Sequence, residues 1–436
     1  MTLFEAAHEA WLACEPIRAT RRRLKNFTYG RQWDDLTLDA DGCRVSEGEL
    51  LLRSGRRPIT NNLLRSLVKS VVGRFRHDLL AARAAAAERG EPDPCRSLRL
   101  ANQLDELDAR ALEEFLISGC AIQRVCYERR MAGQGVWVDN VNPDHFFVNR
   151  YLDPRGHDIR FIGMLHEMTL AEMKLRFGHR NRQRERMIAQ LFSRCTSSAF
   201  PLGLMTGECD GGVEFARASD PSLCRVIEVW RLEASGSAGR MEWKVVYIAP
   251  DGTAIDSTES PYAHRGHPFV VNLYPLTDGE VHPFIEDVID QQRHINQLIT
   301  VIDHILAHSA KGALLYPLDC LPQGMSLENA VRMWSRPGAV IPIDAQANRL
   351  PQEVLAPSHS EGASQLLNLE MKMFQQISGV SSALQGQLSG ANISASLYDQ
   401  QVQNSAIALL DIFETFNTFR SCRDAKAAST IGPESK

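Results

Sequence analysis

Few residues in this 436-residue sequence stand at spacings that chemistry uses. His304 and His308 are four apart, which puts two imidazoles on one helix face. That pair could hold a metal, but no third ligand is evident, and an ordinary polar helix face is the better reading. Asp139, Asp144, Asp153 and Asp158 cluster in sequence, as the carboxylates of a divalent-metal nuclease would. They stand among Asn-Pro and Asp-Pro steps, where turn formation explains them better. His166-Glu167 lacks the second His of a zinc-protease helix, and neither a phosphate-cradling Gly loop nor a G-x-S-x-G elbow occurs. The ten cysteines are scattered without a Cys-x-x-Cys pair, so reduced and largely buried thiols are expected. Arg21-Arg22-Arg23 reads as a solvated face. The expectation is a chain with no catalytic residue, no metal site and no cofactor.

Charge narrows the partners. The net charge is −5, from 48 Lys and Arg against 53 Asp and Glu. Residues 1–90 hold 16 basic and 11 acidic residues, which leaves 32 and 42 for the remainder. No domain is strongly basic, so tight, salt-driven binding of nucleic acid by one chain is not expected. An acidic protein can still surround DNA without gripping it. No apolar run approaches the roughly 20 residues of a membrane helix. The first residues carry Glu5, Glu9 and Glu15 and no basic stretch, so no secretory leader is predicted. The length suits two to four compact units of roughly 150 residues.

The elements that must position any site alternate between helical and strand-like periods. Residues 1–30 read as a helix and 31–57 as loop. A strong helix begins near Thr60, with Thr60 or Asn61 as its cap and Leu63, Leu64, Leu67, Val68, Val71 and Val72 as its stripe. Residues 98–120 form another helix. Strands follow at 121–127 and 136–141 around a Gly turn, then within 145–165, and Thr169 caps a short helix to Phe177. Residues 178–222 read as an irregular insertion. Strands return at 224–248 and 268–275. A long helix runs from about Pro283 to His308, with an acidic start and a stripe of Val288, Ile295, Ile299, Ile302 and Leu306. Residues 311–357 read as a compact α/β insert. Residues 361–377 are helical again, with Leu366, Leu369, Met373 and Ile377 on one face. A Gly/Ser/Gln-rich loop spans 378–394, a last helix runs from about Ser394 to Phe419, and the tail reads as flexible.

The succession is the informative feature. Two helices flank a small insert, like a stalk with a tip, and a long helix with one apolar stripe needs neighbours to cover it. In a ring those neighbours are copies of itself.

Residues spread over about 26–420 resemble the portal proteins of tailed bacteriophages, nearest the short-tailed type. They are Tyr29-Gly30-x-Gln32-Trp33, Pro58-Ile59-Thr60-Asn61-Asn62 leading to Val72-Gly73, and Asn142-Pro143-Asp144-x-Phe146-Phe147 with Asp153-Pro154. His267-Pro268-Phe269, Gln291-x-x-x-Ile295-Asn296 and Ser378-Gly379-Val380-x-x-x-Leu384-Gln385-Gly386 continue the series. The resemblance implies an α+β portal fold: a mixed α/β wing over 1–282 (strands about 121–165 and 224–275), a first stem helix at 283–310, a clip at 311–357 and a second stem helix at 358–377. It also implies a tunnel loop at 378–394, a helix behind it at 395–420 and a flexible tail at 421–436. The implied function is a homo-oligomeric ring, usually of about twelve subunits, at one vertex of the virion capsid. Double-stranded DNA would pass through it during packaging and ejection. The terminase large subunit, head-completion or adaptor proteins, and capsid and scaffolding proteins would be its partners, first in the host cytoplasm and then in the virion. No membrane is involved.

Sliding DNA favours neutral side chains in a tunnel, and Gln385, Gln387, Ser389 and Asn392 supply them. A Lys or Arg ring there would act as a brake. Arg293, Lys311, Arg332 and Arg336 are the nearest basic candidates for DNA or motor contact, with a salt bridge between subunits as the competing role. Relatives usually continue past the last helix into a crown, so a compact member and a truncated one are both compatible with this chain. The rival readings are another ring-forming virion protein, such as an adaptor or capsid subunit, and a metal-dependent nuclease.

Overall fold

The computed structural model describes residues 2–90, 95–130, 133–196, 213–234, 240–309, 313–315, 321–322, 325–334, 352–354, 360–380 and 407–430. In chain order it begins with α1 (Leu3–Ala13), α2 (Glu15–Thr28), β1 (Leu36–Leu38), β2 (Arg44–Ser46) and α3 (Glu47–Arg53). Next come α4 (Leu63–Glu88), α5 (Arg96–Asn102), α6 (Leu104–Ser118), β3 (Cys120–Arg130), β4 (Gly133–Asn140) and β5 (Phe146–Val148). Then follow β6 (Phe161–Met168), α7 (Leu170–Phe177), α8 (Arg182–Thr196), β7 (Cys224–Ala234), β8 (Met241–Ile248), β9 (Ala254–Glu259) and β10 (Phe269–Leu273). The small strands β11 (Pro275–Thr277) and β12 (Glu280–Val281) precede α9 (Ile289–Ser309). The remainder holds β13 (Ala313–Leu315), α10 (Leu327–Trp334), β14 (Gln352–Val354), α11 (Ser360–Ser378) and α12 (Leu410–Thr430). The architecture is α+β, as the sequence predicts.

Two compact units divide the chain. The first comprises residues 1–31, 62–289 and 375–436. It contains a five-stranded antiparallel sheet in the order β5-β6-β7-β8-β9 and a three-stranded one in the order β10-β3-β4. Apolar side chains among the described residues gather into clusters, of which three bear on the sheets. One gathers Trp230, Phe146, Ile162 and Phe269; a second joins Phe4 and Trp11 of α1 to Phe147 and Phe215; a third sets Met173 and Phe177 of α7 against Ile188 and Val226. Glycine is required where the chain leaves α6. Gly119 has φ +68, and a Cβ there would meet Val281 at 2.4 Å and the Tyr274 carbonyl at 2.9 Å.

Two buried carboxylates of this unit are met by cations and donors. Glu228 of β7 is wholly buried and accepts from Trp230 Nε1 at 2.7 Å and His166 Nε2 at 2.6 Å, with Arg124 at 3.5 Å. Burial alone would raise its pKa; Arg124 and His166 outweigh that and hold the carboxyl well below the usual range. Asp108 of α6 is likewise buried and takes Arg420 at 2.8 Å and an ion pair with Arg423, both from α12.

Several elements differ from the sequence reading. Residues 31–57 are not loop throughout. They hold the hairpin β1–β2 and α3, because Asp39 accepts the N–H groups of Asp41 and Cys43 in the turn and Ser46 caps the helix. The cap of α4 is Asn62, whose side chain accepts from Arg65 N at 3.0 Å, rather than Thr60 or Asn61. The helix at 98–120 is broken at Gln103, which has φ +50. The insertion at 178–222 contains α8, hidden in the sequence because its first half is arginine-rich and only Ile188 and Leu191 are buried. The helix predicted from Pro283 becomes regular only at Ile289, after a 3-10 turn at Glu286–Val288. The tail is helical to Thr430, not flexible from 421. Arg423, Ala427 and Thr430 are buried, and Lys426 Nζ donates to the carbonyls of His267 and Phe269 at 2.8 and 2.7 Å. A stripe made of arginine, alanine and threonine carries no hydrophobic signal.

Arg423→Ala leaves Asp108 with Arg420 as its remaining cationic partner and should lower stability by about 2 kcal/mol in urea unfolding. Lys426 gives a pH test. Burial lowers its pKa from 10.5 to about 8, so between those values the unfolded chain holds a proton that the folded one lacks. Wild-type stability should therefore rise relative to Lys426→Met from pH 8 to pH 10.5, by about 3 kcal/mol at 1.36 kcal/mol per pKa unit.

Candidate functional site

The second unit comprises residues 32–61 and 290–374. It contains nearly all of the long helix α9, most of α11, and the described pieces of the insert between them: α10 and the antiparallel pair β13–β14. Residues 32–61 come from far upstream, inside the stretch that the resemblance assigns to the wing.

That upstream strap is held by one face of α9. Gln292, Asn296 and Thr300 lie one helical turn apart, and all three are buried. Asn296 Oδ1 accepts from Asn61 N at 2.9 Å and from Gln292 Nε2 at 3.1 Å. Asn296 Nδ2 donates to Gln32 Oε1 at 2.5 Å, Gln292 Nε2 donates to the Asn61 carbonyl at 2.7 Å, and Thr300 Oγ1 accepts from Ile59 N at 3.1 Å. The match is metric. Four residues of helix rise about 6 Å, and two residues of extended chain about 6.6 Å. Side chains at 296 and 300 therefore meet alternate N–H groups at 61 and 59, as a neighbouring strand would. Pro58 starts this extended run and cannot itself continue a helix. Around the ladder, Trp33 Nε1 donates to Thr60 Oγ1 at 3.0 Å, Gly48 N donates to the Trp33 carbonyl at 3.0 Å, and Arg293 is ion-paired with Glu47 of α3.

The two long helices are linked by His294 Nδ1 and Glu370 Oε1, 3.0 Å apart. On α11, Phe374 is buried, but the predicted apolar face is not. Leu366, Leu369, Met373 and Ile377 are 38%, 52%, 39% and 42% exposed. On α9, Ile295 is buried while Leu306 is 52% exposed. A single chain thus leaves the stripe of its second long helix half in water.

The site residues expected from sequence fall unevenly. Arg293 is committed to Glu47 of its own chain. Arg332 lies on α10 with an exposed side chain. Lys311, Arg336, Gln385, Gln387, Ser389 and Asn392 lie outside the described residues. The four aspartates do not converge on a common pocket. Asp139 is ion-paired with Arg130, Asp144 with Arg21 at 2.6 Å, Asp153 with Arg155 at 2.9 Å, and Asp158 accepts the N–H of Leu152 in its own turn. His304 lies on α9, the His308 side chain is outside the described residues, and among the described residues no group of three His, Cys, Asp or Glu is placed to hold a metal. Among them too, no helix is long and apolar enough to cross a membrane.

A family sequence model described as phage P22-like portal protein matches residues 1–423. The chain belongs to the P22-like phage portal protein family. No curated protein matches it. As a portal family member it is a structural component of the phage head, in a family that forms rings at the portal vertex. The residues that carry the resemblance have structural work here. Gln32, Asn61 and Asn296 build the ladder; Asn62 caps α4; and Gly379, with φ +66, turns the chain out of α11 where a Cβ would lie 2.8 Å from Ala408. Asn142 accepts from Asp144 N, and Phe146 and Phe147 enter two different core clusters. Gln292 and Thr300 were not singled out from sequence. Their signal was polar side chains at four-residue spacing beside an apolar stripe, on a face a solvated helix would not need to bury.

Asn296→Ala removes an acceptor shared by two donors and a donor to Gln32. It should cost about 2–3 kcal/mol in urea unfolding, with Thr300→Val costing about 1 kcal/mol.

Proposed function

We propose that this chain forms a ring of about twelve copies at the portal vertex, through which double-stranded DNA is packaged and ejected. The half-exposed apolar face of α11 carries this reading. Leu366, Leu369, Met373 and Ile377 are too contiguous for a solvated helix, and the helix of a neighbouring copy is the natural cover in a closed ring. Residues 283–310 and 358–377 are then the stem, 311–357 the clip toward the terminase large subunit or the head-completion proteins, and 378–394 the tunnel loop. Gln385, Gln387, Ser389 and Asn392 would face moving DNA with neutral side chains. Arg332 on α10 and Arg293, the latter ion-paired with Glu47 of its own chain, are the described members of the basic set for DNA or motor contact. Residues 32–61 are assigned to the stem rather than the wing, because α9 binds their backbone. The capsid shell and scaffold would surround the wing.

Native mass spectrometry with negative-stain class averages tests this. The expected result is a closed ring of about twelve copies with a central channel. Leu369→Glu/Met373→Glu should shift the population to monomers while leaving the far-ultraviolet circular dichroism unchanged. A wild-type chain that stays monomeric at high concentration would overturn the ring.

A further inference from the structure

The hairpin of α7 and α8 carries a concentration of charge that the proposed function does not use. Residues 174–186 contain six Lys or Arg and one acidic residue, Glu185, in a chain of net charge −5. Part of this charge is spent internally. Arg176 turns in to the Tyr247 hydroxyl at 3.0 Å. Arg184 pairs with Asp256 at 2.8 Å, and the same carboxylate takes His179 at 3.2 Å. Further along, Asp251 is taken by Arg194. The carboxylates that β9 and its turn offer to this hairpin are therefore occupied. Arg180, Arg182 and Arg186 remain exposed, and among the described residues their guanidinium groups have neither an ion pair nor a side-chain hydrogen bond.

Three unpaired guanidiniums within seven residues repel one another, and Arg182 lies in the first turn of α8, the helix end that disfavours cations. An external anion would relieve this repulsion. Guanidinium forks match phosphate oxygens in pairs. Arg182 and Arg186 are one turn apart, about 6 Å along α8, a separation that suits neighbouring phosphates of one DNA strand. We propose that Arg180, Arg182 and Arg186 form a contact surface for the sugar-phosphate backbone of double-stranded DNA, distinct in sequence from the tunnel loop. The choice of DNA over an acidic protein surface rests on the portal reading above, which brings that polyanion to this protein. One patch neutralises up to about three phosphates and binds weakly and without sequence preference; copies around a ring add.

The test uses the full-length protein and a fluorescein-labelled duplex of about 40 base pairs, with anisotropy read between 50 and 200 mM NaCl. The variants are R180Q/R182Q/R186Q and R180K/R182K/R186K, each checked for folding by circular dichroism and for assembly by native mass spectrometry. The expected result is at least tenfold weaker binding of the Gln variant at 50 mM salt. Its log K against log[salt] slope should be shallower by about 2.7 per engaged subunit, while the Lys variant keeps the wild-type slope. Equal affinity and slope for wild type and the Gln variant overturn the proposal. If the Gln variant also loses binding to capsid shell protein, the patch belongs to an acidic protein surface instead. An assembled wild-type ring that binds no duplex at 50 mM overturns the proposal and leaves the ring itself standing. If the chain does not assemble, the same comparison on monomers still decides the patch, and only the ring reading fails.

Discussion

The second unit depends on one interaction: the amide ladder by which α9 binds residues 32–61. Among the described residues no strand pairs with the extended run at 59–61, and backbone N–H groups buried without partners are costly. Asn296 and Thr300 supply the missing acceptors, Gln292 supplies a donor, and Gln32 takes the remaining amide hydrogen bond. Because the groups are neutral, the desolvation cost is that of amides and not of charges. The strap in turn places Glu47 against Arg293, so a residue that looked available for a ligand is already used.

The first unit follows a different rule. Two carboxylates are admitted to the interior with opposite charge or strong donors: Asp108 with Arg420 and Arg423, Glu228 with His166, Trp230 and Arg124. These pairs join elements distant in sequence. Asp108 draws α12 onto α6, and Glu228 brings β7 against β6 and β3. Buried pairs add little net energy over apolar packing, yet they punish misplacement heavily.

Much of the fold was legible where the pattern is local. The β3–β4 hairpin, β7, β8 and the Thr169 capping box show in alternation and cap residues. What escaped was local structure without hydrophobic rhythm. The β1–β2 turn is held by one aspartate, α8 opens on arginines, and the last turns of α12 bury Arg423 and Thr430. The ladder was half legible. Its residues appeared among the motifs of the resemblance, but their role did not, since Gln32 and Asn296 are 264 positions apart and Asn61 and Asn296 are 235 apart. No periodicity reports a contact at that range.

The polar character of the ladder also determines how it can come apart. An apolar seam can slide, because one methyl substitutes for another. This one cannot: a shift of one residue would turn the N–H groups of Ile59 and Asn61 away from Thr300 and Asn296 together. Nor does separation expose much oil, because amides and a hydroxyl exchange their partners for water at modest cost. The register of the strap is therefore set at every rung at once, so its polar partners are met together or lost together.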